Sequence, residues 1–223
     1  MAEAADITPV ILAAGPSSRM GSPKALLEFD GRTCLDLALA AVRGLGTPIV
    51  VLGAAREEIQ ARVPLASVQV ALNEDFERGE TSSLKTGLAC VAPAAAAVLV
   101  HPVDFPLVSA EEVAVLVAAY RRRPDKAVFL PSYGMRPGCP VLFRRDLARE
   151  ILALPDERPW RTVLSRHPQR VCRVDYERSY VLMDMDTADD YRRCLEAYRQ
   201  RRREEGRAGG PGASPPGGRG AVP

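Results

Sequence analysis

The sequence predicts an α/β fold, a three-layer sandwich around a mostly parallel mixed sheet, on three observations. Short β-branched apolar runs alternate with longer segments of helical period, the pattern of successive βα units. Each of the first four apolar runs is followed by Gly, Asn or Asp in a polar turn, as expected where a strand hands over to a helix. The 223 residues, 47% hydrophobic and 26% charged, are enough to bury one sizeable core.

In chain order, strands are expected over residues 8–12, 48–52, 68–72 and 97–101, which form the centre of the sheet. Helices lie between them over 33–43, 55–62 and 81–91, with Thr81 or Ser82 available to cap the third. A fourth, over 109–122, opens on Ser109-Ala-Glu-Glu112, the spacing of a capping box ahead of an apolar run. The second half is less regular. Strands are expected over 127–130, 140–143, 171–174 and 181–183, and helices over 146–154, 160–167 and 187 to about 203, with Trp160 in a packing role. From residue 206 onward, 7 Gly and 4 Pro in 18 residues offer almost nothing to bury. No internal repeat is present, so the expectation is one domain over 1–198 and a disordered Arg/Gly/Pro-rich tail over 199–223, with Arg201, Arg202 and Arg203 as a solvated helix end.

Charge and hydropathy exclude several functions. Lys+Arg 30 against Asp+Glu 28 gives +2, but six Arg and two Glu fall in the tail, leaving 24 basic against 26 acidic residues before it. A domain that binds nucleic acid would carry a basic face, so nucleic acid is not an expected partner. The longest apolar stretch, residues 91–100, is interrupted by Pro93 and is far short of the roughly 20 residues that span a bilayer. The acidic start lacks the parts of a secretory signal, and the five cysteines form no C-x-x-C pair, so a cytoplasmic protein with free thiols is expected.

After the first strand comes Leu12-Ala-Ala-Gly-Pro-Ser-Ser-Arg-Met-Gly-Ser-Pro-Lys24. The first strand of an open parallel sheet ends where ligands bind, and this loop suits an anion. Ala13, Ala14 and Gly15 lack bulk and let backbone approach a base or phosphate, while Arg19 and Lys24 bring positive charge. Lys24 is followed by Ala25, which excludes a Walker A loop, and G-x-G-x-x-G spacing is absent.

The loop resembles the L-A-A-G-x-S-x-R-M-G-x-x-K-x-L-L signature of MobA-like nucleotidyltransferases. Four further segments extend the resemblance over nearly all of residues 7–198. Asn73-Glu-Asp-Phe-Glu-Arg-Gly-Glu-Thr-Ser-Ser-Leu-Lys-Thr-Gly-Leu88 is similar to the family's N-x-x-[FW]-x-x-G-x-x-S-S-L-x-x-G-L, and Val103-Asp-Phe-Pro-Leu-Val108 to its D-x-P segment. Gly138-Cys-Pro-Val-Leu-Phe143 is similar to G-x-P-V-L-F, and Asp184-Met-Asp-Thr-Ala-Asp-Asp-Tyr191 to D-[IM]-D-T-P-E-D-[LY].

The resemblance implies a nucleotide-diphospho-sugar transferase-like fold. It also implies an enzyme that joins a nucleoside triphosphate to a phosphorylated acceptor and releases pyrophosphate. Such a reaction needs an in-line nucleophile and charge neutralisation more than covalent chemistry. By resemblance, Lys24, Arg19 and Asp104 are catalytic, and Leu12, Ala13, Ala14, Gly15, Arg19, Lys24, Asn73, Ser82 and Ser83 bind the nucleotide. Asp104 and Asp186 hold Mg²⁺, although taken singly the first reads as a turn residue and the second as a helix N-cap. Gly138, Cys139 and Pro140 face the acceptor, with Cys139 standing where many relatives carry His. His101 and His167 have no metal-ligand partner at helical spacing and read as structural or solvated.

Within the family, the Ala13-Ala14-Gly15 version is similar to molybdenum cofactor cytidylyltransferases, whereas guanylyltransferases carry a second Gly at Ala14. CTP, a molybdopterin-type acceptor and a molybdenum hydroxylase as recipient are the corresponding expectations. Two other functions remain open on the sequence: a sugar- or alcohol-phosphate nucleotidyltransferase, and a non-catalytic protein that binds the cofactor and inserts it into a target.

Overall fold

The computed structural model describes residues 6–17 and 20–208. In chain order the elements are β1 (Ile7–Ala13), β2 (Glu28–Phe29), β3 (Arg32–Thr33), α1 (Cys34–Ala41), β4 (Ile49–Leu52), α2 (Arg56–Arg62), β5 (Gln69–Leu72), α3 (Glu80–Ala89) and β6 (Ala97–Pro102). They continue with α4 (Ala110–Arg122), β7 (Val128–Tyr133), β8 (Arg136–Pro137), β9 (Val141–Arg144), α5 (Ala148–Leu152), α6 (Thr162–Ser165), β10 (Val171–Asp175) and α7 (Ala188–Ala208).

The main sheet runs β5-β4-β1-β6-β9-β7-β10, with β8 paired to β7. β9 is antiparallel to β6 and β7, while the β1–β4, β4–β5, β1–β6 and β7–β10 pairs are parallel. This is the expected mostly parallel mixed sheet. Because strand side chains alternate faces, each strand feeds two cores. Ile11, Val50, Leu99 and Leu142 pack under α1, α2, α4 and α7, and Val10, Val51, Val100 and Val141 under α3, α5 and α6. The strand order reverses direction between β1 and β6, and such a switch point opens a crevice at the carboxyl ends of the two strands.

The capping box expected on α4 is present and α1 has one that was not anticipated, while α3 differs from its expected capping. Thr33 with Asp36, and Ser109 with Glu112, close full capping boxes. α3 begins at Glu80, one residue before the expected start, with Gly79 at its N-cap (φ +103°) and no side-chain cap. Thr81 instead donates to Arg158 O at 2.7 Å, and Ser82 lies 2.8 Å from Gly79 O, so both candidate caps serve other partners.

The second half departs further. Residues 181–183, expected as a strand, lie at the end of a 3-10 turn, Ser179–Leu182. Val181 is apolar because it is fully buried, and its carbonyl accepts from Cys139 N at 2.9 Å without any ladder. The helix expected over 146–154 is a 3-10 turn followed by α5, and that over 160–167 contracts to α6. The β2–β3 hairpin and β8 were not anticipated.

α7 continues to Ala208, so residues 199–208 are helical, not the beginning of a tail; residues 209–223 lie outside the described residues. Arg201 corrects the reading of a solvated helix end. Its guanidinium donates to Ser109 Oγ (2.8 Å), Glu111 (2.8 Å), Glu112 (3.1 Å) and Leu107 O (3.2 Å), tying α7 to the start of α4. Arg202 and Arg203 are exposed as expected. No helix among the described residues is long and apolar enough to cross a membrane.

His101, on β6, is fully buried, and neither ring nitrogen has a partner among the described residues. Burial lowers its pKa from the ordinary 6.5 to about 4. The unfolded chain therefore binds one more proton than the native chain between these values, so native stability falls as pH drops from 6.5 toward 4. The loss is on the order of 3 kcal/mol from this residue alone. Urea melts across that range are expected to give a visibly flatter acid limb for His101→Leu than for wild type; parallel limbs would refute the assignment.

Candidate active site

The crevice at the β1–β6 switch point is a cleft of about 560 Å³. One wall is the loop after β1. Gly53 packs against it: a Cβ there would lie 2.6 Å from Ala14 O and 2.9 Å from Phe76 Cβ, so only glycine admits this approach. Ala54 N donates to Ala14 O at 3.1 Å, and Lys24 N to Ser17 Oγ at 2.9 Å, fixing both ends of the loop.

The floor comes from the turn after β6, pinned by Val103 N donating to Leu12 O at 3.0 Å. Met185 N donates to Asp104 O at 3.1 Å, which draws residues 184–186 to the same place. Lys24 Nζ then stands between two carboxylates, 3.1 Å from Asp104 Oδ2 and 2.7 Å from Asp186 Oδ1. Burial opposes charge on Lys24, but Asp104 and Asp186 together outweigh it and raise its pKa. Burial pushes the Asp104 carboxyl up; Lys24 counteracts this, and Glu80 and Asp184 add to the rise.

Among the expected site residues, Leu12, Ala13, Ala14, Gly15, Lys24, Ser83, Asp104, Cys139 and Asp186 line the cleft. Asn73 and Ser82 stand behind it. Asn73 Nδ2 donates to Ser82 Oγ (2.9 Å) and Ser83 Oγ (3.0 Å), so their polar groups brace the start of α3. Gly138 and Pro140 flank Cys139 without lining the cleft. Arg19 lies outside the described residues.

The cleft also contains Asp184, Glu80 and Arg161, which were not singled out from the sequence. Asp184 could have been found, because residues two apart in an extended segment point to the same side and Asp186 was already a candidate. Arg161 carries no comparable signal.

The segment matching the description "MobA-like NTP transferase domain" spans residues 9–171, which include the cleft loop, Asp104 and Arg161. This chain belongs to the MobA-like NTP transferase family. Two curated relatives resemble this MobA-like transferase over most of its length. The nicotine blue oxidoreductase of Paenarthrobacter nicotinovorans is 29% identical, over 85% of this chain and 96% of the relative. The molybdenum cofactor cytidylyltransferase of Escherichia coli K12 is 27% identical, over 85% of this chain and 95% of the relative. The crystal structure of Rv0371c from Mycobacterium tuberculosis H37Rv in complex with manganese superposes with a TM-score of 0.66 at 31% identity, covering 86% of this chain and 98% of that one.

The donor set of this MobA-like transferase suits a hard divalent cation. Two carboxylates already converge on one cationic atom, and Asp104 Oδ1 is buried with no hydrogen-bond partner among the described residues. No group of three or more His, Cys, Asp or Glu arranged for a metal occurs among the described residues. Mg²⁺ accepts this arrangement, since it binds through one or two carboxylates plus substrate phosphates and water.

Proposed function

We propose that this MobA-like transferase moves the cytidylyl group of CTP to the phosphate of a molybdopterin-type acceptor and releases pyrophosphate. The convergence of Lys24, Asp104 and Asp186 beside the Ala13-Ala14-Gly15 wall carries the reading, because it gathers the charges a triphosphate needs where the sheet opens. Ala14 lines the cleft, and a side chain at this position, where guanylyltransferases carry a second Gly, favours a pyrimidine. The E. coli cytidylyltransferase relative supports the same base and acceptor.

In the reaction an acceptor phosphate oxygen forms a bond to the α-phosphorus of CTP as the bond from that phosphorus to the β-bridging oxygen breaks, and pyrophosphate leaves with the bonding pair. Lys24 stabilises negative charge on the α-phosphate, and Arg19 binds the outer phosphates. Gly15 and Ser83 lie against the nucleotide, with Asn73 and Ser82 holding Ser83 in place. Cys139 meets the acceptor between Gly138 and Pro140. Mg²⁺ held by Asp104 and Asp186 supplies further positive charge against the phosphates. The product would pass to a molybdenum hydroxylase in the cytoplasm.

The test is pyrophosphate release with Mg²⁺, molybdopterin and CTP, GTP, ATP or UTP in separate reactions, with the product identified by mass. CTP-dependent release of a cytidine dinucleotide is expected; release with GTP alone would overturn the base assignment. CTP is also expected to raise the unfolding temperature more than GTP does, since a ligand at 100 times its Kd stabilises by about 2.7 kcal/mol. Protection by GTP and none by CTP would count against the reading.

A further inference from the structure

We infer that Arg161 is the anchor for the acceptor's phosphate, the residue that makes a phosphomonoester the required acceptor class. This rests on the nucleotidyl-transfer reading above and names the group that receives its second substrate.

Arg161 stands in the cleft with an unusual partner. Its Nη2 donates to Cys139 Sγ at 2.8 Å, and no carboxylate pairs with it among the described residues. A thiol is a weak acceptor. Burial pushes the Cys139 thiol up to about 12, the nearby Arg161 charge only partly offsetting this, so sulfur stays neutral and leaves the guanidinium charge uncompensated. Arg201, by contrast, is surrounded by Glu111, Glu112 and Glu205. A cation that faces the cleft and forms no ion pair among the described residues is suited to an anion that arrives from solution.

The surrounding segment holds Arg161 in place beforehand. Its guanidinium lies 5.0 Å over the Trp160 ring. Trp160 is 1% exposed; its Nε1 donates to Glu80 Oε1 at 2.9 Å and its backbone N to Thr81 Oγ1 at 3.0 Å. Lys85 pairs with Asp156 at 2.7 Å, so the segment before Trp160 is fastened to α3 in two places. A planar guanidinium fixed by stacking presents its remaining N–H groups as a fork, the geometry that accepts two oxygens of one phosphate.

The location separates this role from triphosphate binding. Arg161 touches Cys139, in the 138–140 segment assigned to the acceptor, whereas Lys24 belongs to the loop after β1 and is engaged by Asp104 and Asp186. Bringing an acceptor dianion up to a triphosphate sets like charges against each other, and a cation on the acceptor's own side relieves that repulsion.

The experiment compares wild type, Arg161→Met and Arg161→Lys in two measurements, after thermal melts establish that each is folded. Steady-state turnover with CTP and molybdopterin is expected to show the acceptor KM raised about 30-fold in Arg161→Met, with the CTP KM within about twofold, as removal of a two-pronged charged contact implies. Arg161→Lys recovers part of the loss. Calorimetric titration of phenyl phosphate into protein saturated with CTP is expected to show binding by wild type and a parallel loss in Arg161→Met. Unchanged phenyl phosphate affinity in folded Arg161→Met would overturn the inference while leaving nucleotidyl transfer intact. So would an increase confined to the CTP KM, which would place Arg161 on the triphosphate. Wild-type protein that bound no CTP in a separate calorimetric titration would instead remove the reading of the whole cleft, and this inference with it.

Discussion

Replacing Lys24 with alanine is expected to lower kcat/KM by about 10²- to 10³-fold, the usual cost of removing one preorganised group that stabilises transition-state charge. The ammonium sits 3.1 Å from Asp104 and 2.7 Å from Asp186, so the loss acts at both ends. The α-phosphate loses its cation, and the Asp104 carboxylate loses the charge that favours its ionised form. Lys24 holds the Asp104 pKa down against burial, so its removal raises that pKa further, and the acid limb of the pH–rate profile should move to higher pH. Asp104→Asn is expected to cost as much, and the double variant little more than either single one, because the residues act as a unit. Pyrophosphate release by variants whose circular dichroism matches wild type decides the matter. Turnover within about threefold of wild type in Lys24→Ala would remove Lys24 from the chemistry.

Gly138→Ala is expected to be the most destabilising single methyl addition beside the cleft. A Cβ at this position would sit 2.1 Å from Val181 O and 2.8 Å from Val181 C. Both are backbone atoms, and neither segment can withdraw cheaply: Gly138 N donates to Pro131 O at 2.8 Å and Cys139 N to Val181 O at 2.9 Å. A backbone clash of this kind costs about 3 kcal/mol or more. For a chain of this size that lowers the melting temperature by roughly 6–12 °C. Gly134→Ala provides the contrast. Its φ of +55° disfavours a side chain, but nothing stands within 4 Å, so the cost should stay near 1 kcal/mol. Equal melting temperatures for the two variants would refute the clash with Val181.

Local pattern accounts for the elements that were legible in the sequence. β1, β4 and β6 are buried on both faces and therefore read as unbroken apolar runs, while Thr33, Ser109 and their acidic partners stand at the spacing a helix start requires. The second half was harder because tertiary contacts override local pattern there. Val181 has the apolar, β-branched character of a strand residue, yet its burial comes from packing in a 3-10 turn. Arg201 was read as a solvated helix end because it looks like surface charge, when it is matched by glutamates and a serine far away in sequence.

The candidate site divides in the same way. Ala13-Ala14-Gly15 and Lys24 were singled out by the composition of their loop, whereas Asp104 and Asp186, which taken singly read as a turn residue and a helix N-cap, became candidates only through the family resemblance. Their meeting at one atom was not legible: Lys24 is 80 residues from Asp104 and 162 from Asp186, and the three converge because β1 and β6 are parallel neighbours whose carboxyl ends share an edge. The same limit governs Asn73 and Ser82, whose residue types suit a nucleotide but whose polar atoms are taken up by one another, and Arg161, one arginine among many until Cys139 and Trp160 are beside it. The positions of the first-half strands, the helix starts and the family's loop follow from interactions between residues close in sequence. The partners of each charged side chain depend on which distant segments the folded sheet brings within hydrogen-bond reach.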